Sequence, residues 1–170
     1  MAITAGERPL AASPALVAVL AGGRGTRIGG AKASALLAGR SMLDHVLTTV
    51  RDADLEAVVV AKRATELPPL AERLILEPDE PSHPLCGILA ALDFLADRAP
   101  ERAVLAVPCD MPFLTGALLR WIAELDGQVV LELDGRMQPL PARALPANIP
   151  VLRAALARES SLRATLGALS

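Results

Sequence analysis

The sequence predicts an α/β protein, a three-layer αβα sandwich built on a mostly parallel sheet. Three observations predict it. Short apolar runs suited to buried strands alternate with stretches of helical period, the pattern of chains that wind helices onto both faces of a sheet. The 170 residues match the usual size of one domain and allow a substantial core. The composition is 52% hydrophobic, yet no apolar run approaches the ~20 residues of a membrane helix, so the apolar content belongs to a packed interior.

Residues 1–14 read as a flexible N-terminal tail. Glu7 offsets Arg8, Pro14 interrupts the apolar stretch, and glycines rather than a cleavage site follow, which argues against a secretory signal. Residues 15–170 form the expected domain. The run at 16–21 ends in glycines, as a buried parallel strand would. Met42, Leu43, Val46, Leu47 and Val50 recur at helical spacing over 41–50. A second strand is expected at 57–61, and a third at 74–76, closed by the turn-rich EPDEPSHP. A helix over 88–96 precedes a fourth strand at 103–107, stopped by Pro108. Another helix covers 118–125, with Thr115 and Gly116 near its start. Segments 129–133 and 137–142 flank Asp134 and Gly135 and predict a hairpin. The Ala/Leu/Arg-rich stretch 151–169 reads as helical. There is no internal repeat.

Seventeen basic and nineteen acidic residues give a net charge of -2, with no general pull toward nucleic acid or an acidic membrane. The only aromatics are Phe94, Phe113 and Trp121, too few for the stacking platforms that bind single-stranded bases. Cys86 and Cys109 make neither a disulfide framework nor a zinc cluster, and they suit a reducing, cytoplasmic setting.

Ligands of such sheets bind beyond the carboxyl ends of the strands. Three polar clusters fall there: 22–32, 77–87 and 108–112. Within 22–32 there are five glycines, three basic residues (Arg24, Arg27 and Lys32) and no acid. Glycines let backbone N–H groups approach phosphate oxygens, and the cations oppose a polyphosphate's charge. The dinucleotide fingerprint GxGxxG counted from Gly23 would need glycine where Ile28 stands. The P-loop fails because Ala31 separates Gly30 from Lys32. The pattern that does match is LAGGxGxRxGGxK of nucleotidyltransferases, written LAGGRGTRIGGAK at 20–32.

With PCDMP at 108–112, this loop makes the chain resemble the molybdenum cofactor guanylyltransferases and their cytidylyltransferase relatives. The resemblance runs from about residue 16 to 115 and more faintly to 143. It implies a nucleotide-diphospho-sugar transferase-like, Rossmann-like fold. The implied reaction transfers a nucleoside monophosphate, GMP from GTP, to molybdopterin (the molybdenum cofactor) and releases pyrophosphate with Mg²⁺ as cofactor. GTP or CTP, the molybdenum cofactor, and a molybdoenzyme or its chaperone are the implied partners.

The same resemblance assigns the site. Leu20, Ala21, Gly22 and Gly23 cradle the base and ribose, while Arg27 and Lys32 act on the phosphates. Read alone, an Asp just past a strand is more often a helix cap; the resemblance makes Asp110 the metal ligand and a catalytic residue. In EPDEPSHPLCGI, similar to the family's D…GPLxGI block, Asp79 matches the nucleoside-contacting Asp. Cys109 occupies a position where cysteine is common in the family and needs no chemistry. QPLPA at 138–142 resembles the second-substrate side, and SSLRATL at 160–166 the late helix. The chain departs from the family at Lys62, where Asn is usual, and at His83, where Gly is usual; no NINTP-like segment is found. His45 reads as a packed or surface residue. Two other readings stay open: a cytidylyl- or sugar-phosphate nucleotidyltransferase of the same fold, and a non-catalytic nucleotide- or cofactor-binding accessory protein.

Overall fold

Strand β1 (Ala15–Leu20) contains only apolar side chains, so both its faces can be covered, and Ala15 through Val19 are fully buried. In the computed structural model, which describes residues 15–23 and 32–169, β1 is the middle of a six-stranded sheet. The expected tail at 1–14 and residues 24–31, Arg27 among them, lie outside the described residues.

After β1 come two-residue strands β2 (Leu36–Leu37) and β3 (Arg40–Ser41), an antiparallel hairpin that the sequence reading did not contain. It turns at Ala38 (φ 50) and Gly39 (φ 80), the two positive φ values that a tight two-residue hairpin turn requires. Strands this short carry no periodicity to read.

Helix α1 (Met42–Asp52) starts at Ser41, whose hydroxyl accepts a 3.0 Å hydrogen bond from the Asp44 N–H. Ser41→Ala removes that cap and should cost about 1 kcal/mol, read as a lowered melting temperature by circular dichroism. The remaining elements are β4 (Ala57–Ala61), β5 (Arg73–Leu76), α2 (Pro84–Ala96), β6 (Ala103–Pro108), α3 (Gly116–Glu124), β7 (Val129–Leu133), β8 (Arg136–Ala144), a 3₁₀ turn at Pro146–Asn148, α4 (Ile149–Ala157) and α5 (Leu162–Gly167).

The sheet order is β5-β4-β1-β6-β8-β7. β5, β4, β1 and β6 run parallel, with Val19 level with Val59 on one side and Val107 on the other. β8 pairs antiparallel with both β6 and β7. The sheet is therefore mostly parallel and closed at one end by a hairpin, as expected.

Alternation along the strands feeds two cores. Val17, Val19, Val59 and Leu105 meet Leu43, Leu47, Leu119 and Ile122 of α1 and α3. Leu16, Ala18, Val58 and Val104 meet Leu85, Ile88, Leu92, Leu152 and Leu166 of α2, α4 and α5. The three expected layers are present.

Most boundaries shift by one or two residues from the sequence reading, and two differences have a clear local cause. α2 begins at Pro84, not at 88, because proline fits the first helical turn and His83 caps it. The stretch 151–169 divides into α4 and α5, where Glu159 takes φ 54 and Ser161 caps the second helix. Among the described residues, no helix is long and apolar enough to cross a membrane.

Candidate nucleotide site

Because β4, β5, β1 and β6 are parallel, the residues following them emerge at one edge of the sheet. Backbone bonds fix their positions: the Ala21 N–H donates to Val60 O (2.8 Å), Cys109 N–H to Leu20 O (3.1 Å) and Glu77 N–H to Ala61 O (3.0 Å). A cleft of about 410 Å³ opens there, and its walls include Gly22, Gly23, Lys32, Lys62, Glu77, His83, Gly87, Asp110 and Leu140.

One side of the cleft carries an ion pair. Lys32 Nζ donates to Asp110 Oδ2 at 2.7 Å, joining the end of the glycine-rich segment to the turn that follows β6. Both side chains are about one-third exposed, so each group can still be reached by a ligand. A cation and a carboxylate side by side at strand ends can hold a phosphate chain and its counter-ion.

The other side holds a carboxylate absent from the sequence-based site. Glu77 lies between two glycines: a Cβ on Gly22 would stand 1.7 Å from its Oε1, and one on Gly87 would stand 3.0 Å from its Oε2. Those positions lack side chains where Glu77 fits. Burial pushes the Glu77 carboxyl above the ordinary carboxylate range, Lys62 nearby pulls it down, and Asp79 pushes it further up. Lys62, singled out in the sequence as a departure, also lines the cleft, and its Nζ donates to the Asp79 carbonyl.

The Glu77 shift has a definite sign for stability. A carboxyl with a raised folded-state value holds its proton more tightly than it does in the unfolded chain. Its contribution favours folding at low pH and is lost as pH rises through the folded value. Glu77→Gln should therefore raise the melting temperature of the ligand-free protein at neutral pH. The gain should shrink on acidification toward the ordinary carboxylate range, as a pH series of melts would read.

Of the residues assigned from sequence, Leu20, Gly22, Gly23, Lys32 and Asp110 line the cleft. Ala21 is buried beside it. Asp79 is exposed and does not line the cleft; what it contributes there is the carbonyl that holds Lys62. Arg27 lies outside the described residues. His83 caps α2 through Nδ1, which accepts from the Leu85 N–H at 3.1 Å, and it lines the cleft as well. His45 is hydrogen-bonded to the Leu37 carbonyl and ties α1 to the β2–β3 hairpin. Burial, with Asp110 adding to it and Lys32 opposing it, pushes the Cys109 thiol up to about 11, so it stays neutral and unreactive. The one clue to Glu77 in the sequence was its place directly after a parallel strand.

The family described as the MobA-like NTP transferase domain matches residues 17–170. The chain belongs to that nucleotidyltransferase family. It is 31% identical over 150 residues to a protein of Xanthomonas euvesicatoria pv. vesicatoria named molybdenum cofactor guanylyltransferase, covering 86% of this chain and 75% of that one. A protein of the same name from Sinorhizobium fredii is 36% identical over 136 residues, covering 72% of this chain and 59% of its own length. Among solved structures, the molybdopterin-guanine dinucleotide biosynthesis protein A of Archaeoglobus fulgidus superposes with a TM-score of 0.71 at 23% identity, covering 91% of this chain and 80% of that one. Its likeness extends to the fold, the nucleotide-diphospho-sugar transferase type expected from the sequence.

Proposed function

We propose that the protein transfers GMP from GTP to the phosphate of molybdopterin and releases pyrophosphate. The observation that carries this reading is the Lys32 ion pair with Asp110, set at the carboxyl ends of parallel strands beside Gly22 and Gly23. The relatives' names supply the acceptor and the base.

Nucleotidyl transfer asks a protein mainly to position its reactants and neutralise charge. The backbone at Gly22 and Gly23 faces the nucleoside, and Lys32, with Arg27 from the same loop, opposes the phosphate charge. The acceptor phosphate is already anionic and needs no general base. Its oxygen bonds to the α-phosphorus as the bond between that phosphorus and the bridging oxygen breaks, and pyrophosphate departs with the electron pair.

The donor set fits a magnesium ion. Asp110 offers one carboxylate at the cleft, and Mg²⁺ takes oxygen ligands, commonly one or two carboxylates together with phosphate oxygens. Asp110 would hold Mg²⁺ with the nucleotide, where the ion offsets charge on the phosphates.

The test is a pyrophosphate-release assay with GTP, Mg²⁺ and molybdopterin. Release that requires all three is expected; no release, with GTP bound, would favour the accessory-protein reading.

A further inference from the structure

His83 lines the cleft, and the reaction as derived above gives it no task. It stands where the family usually has glycine, so its ring is a group that the usual residue cannot supply. Three hydrogen bonds pin the residue. Its N–H donates to Pro81 O (2.9 Å), its carbonyl accepts from the Cys86 N–H (3.0 Å), and Nδ1 accepts from the Leu85 N–H (3.1 Å). A ring nitrogen that accepts carries no proton, so the proton of the imidazole sits on Nε2. With Nδ1 turned to the helix, Nε2–H is the ring's remaining polar group, and it has no partner among the described residues. The cleft is thus presented with one N–H donor at a fixed place. Ser82, the residue before it, is exposed and lines the cleft too, and its hydroxyl has no hydrogen-bond partner among the described residues.

The packing of α2 says which part of a nucleotide this donor meets. Gly87, one turn further along the helix, lies against the end of β1: a Cβ there would stand 3.0 Å from Leu20 Cδ2. The first turn of α2 therefore overlies the strand whose continuation, Gly22 and Gly23, faces the nucleoside, while Lys32 and Asp110 stand across the cleft with the phosphates. We propose that His83 holds the ribose, its Nε2–H donating to one sugar hydroxyl while the Ser82 hydroxyl bonds the neighbouring one. The proposal rests on the nucleotide-transfer reading and deepens it. A vicinal diol presents two adjacent groups that each accept and donate, and a fixed donor beside a rotatable hydroxyl matches it whatever base the nucleotide carries. A deoxynucleotide leaves one of the two protein groups unpaired, so this wall selects ribonucleotides. Because the ring is already locked by its own backbone bonds, little ordering is lost when the sugar arrives.

The test measures affinities of the full chain, with Mg²⁺ present, for GTP, 2′-deoxy-GTP and 3′-deoxy-GTP by calorimetry. The wild-type protein should bind each deoxynucleotide about three- to tenfold more weakly than GTP, the worth of one neutral hydrogen bond. His83→Ser keeps a cap on α2, since a serine hydroxyl is a favoured N-cap, and removes the ring N–H from the cleft. Its melting temperature should stay near that of the wild type, while its affinity for GTP falls by the same three- to tenfold. The deoxynucleotide that lacks the partner hydroxyl should bind this variant as it binds the wild type. Ser82→Ala should give the same pattern with the other deoxynucleotide. Such non-additivity marks a direct contact, because a change confined to the helix end would weaken all three nucleotides alike. Equal binding of the three by the wild type, or an equal loss for all three in His83→Ser, would overturn the proposal while leaving nucleotide transfer standing. Failure of the wild type to bind GTP would overturn both.

Discussion

Asp110→Ala is expected to lower the rate of pyrophosphate release by about 10³-fold or more, the scale seen when a group that handles developing phosphate charge is removed. The substitution leaves Lys32 without its 2.7 Å partner and removes the carboxylate proposed to hold Mg²⁺. Stability should change little. The pair is partly exposed, and such pairs contribute about 0–1 kcal/mol. Activity and melting temperature should therefore separate cleanly: steady-state kinetics reads the first and calorimetry the second. A rate close to wild type would refute the role given to Asp110.

Leu105→Ala is expected to do the reverse. Leu105 is fully buried on β6, between β1 and β8, and its side chain belongs to the core under α1 and α3. Truncation loses the transfer free energy of the removed carbons and leaves a cavity that a six-stranded sheet relaxes into poorly. The cost should be about 2–5 kcal/mol in urea unfolding, a large share of the ~5–15 kcal/mol that holds a domain together. A cost below 1 kcal/mol would mean that the two layers can collapse onto the vacancy.

These contrasts follow how legible each part was in the sequence. β1, β4 and β6 announce themselves because a strand covered on both faces must be apolar throughout. α1 does so because it has one buried face, with Leu43, Val46, Leu47 and Val50 on it. The β2–β3 hairpin is set by backbone dihedrals at Ala38 and Gly39, which leave little trace in composition. The start of α2 was hidden because Pro84 reads as a turn residue until its neighbour His83 is seen to cap the helix.

The site was legible in the same uneven way. Lys32 and Asp110 stand in motifs whose spacing along the chain fixes them, and the structure brings the two together across 78 positions. Glu77 stands in a loop where several acids are close in sequence and a motif favours Asp79. Which carboxylate faces the cleft depends on how the chain leaves β5. The Glu77 N–H bond to Ala61 O decides it, and no local pattern encodes that bond.

The segment from 77 to 83 joins β5 to α2 and exposes Pro78, Asp79, Glu80, Pro81 and Ser82 to solvent. Its two ends, Glu77 on one side and Ser82 with His83 on the other, line the cleft, while the two hydrophobic cores lie in the helices and sheet beyond it. Exchanges in such a stretch can alter what the wall recognises at little thermodynamic cost. For a lineage, this means that nucleotide preference and foldability can drift on separate tracks. For an engineer, it means that a library at the exposed positions 78–82, with the α2 cap His83 and the half-buried Glu77 kept, samples new groups beside the cleft while sparing the scaffold.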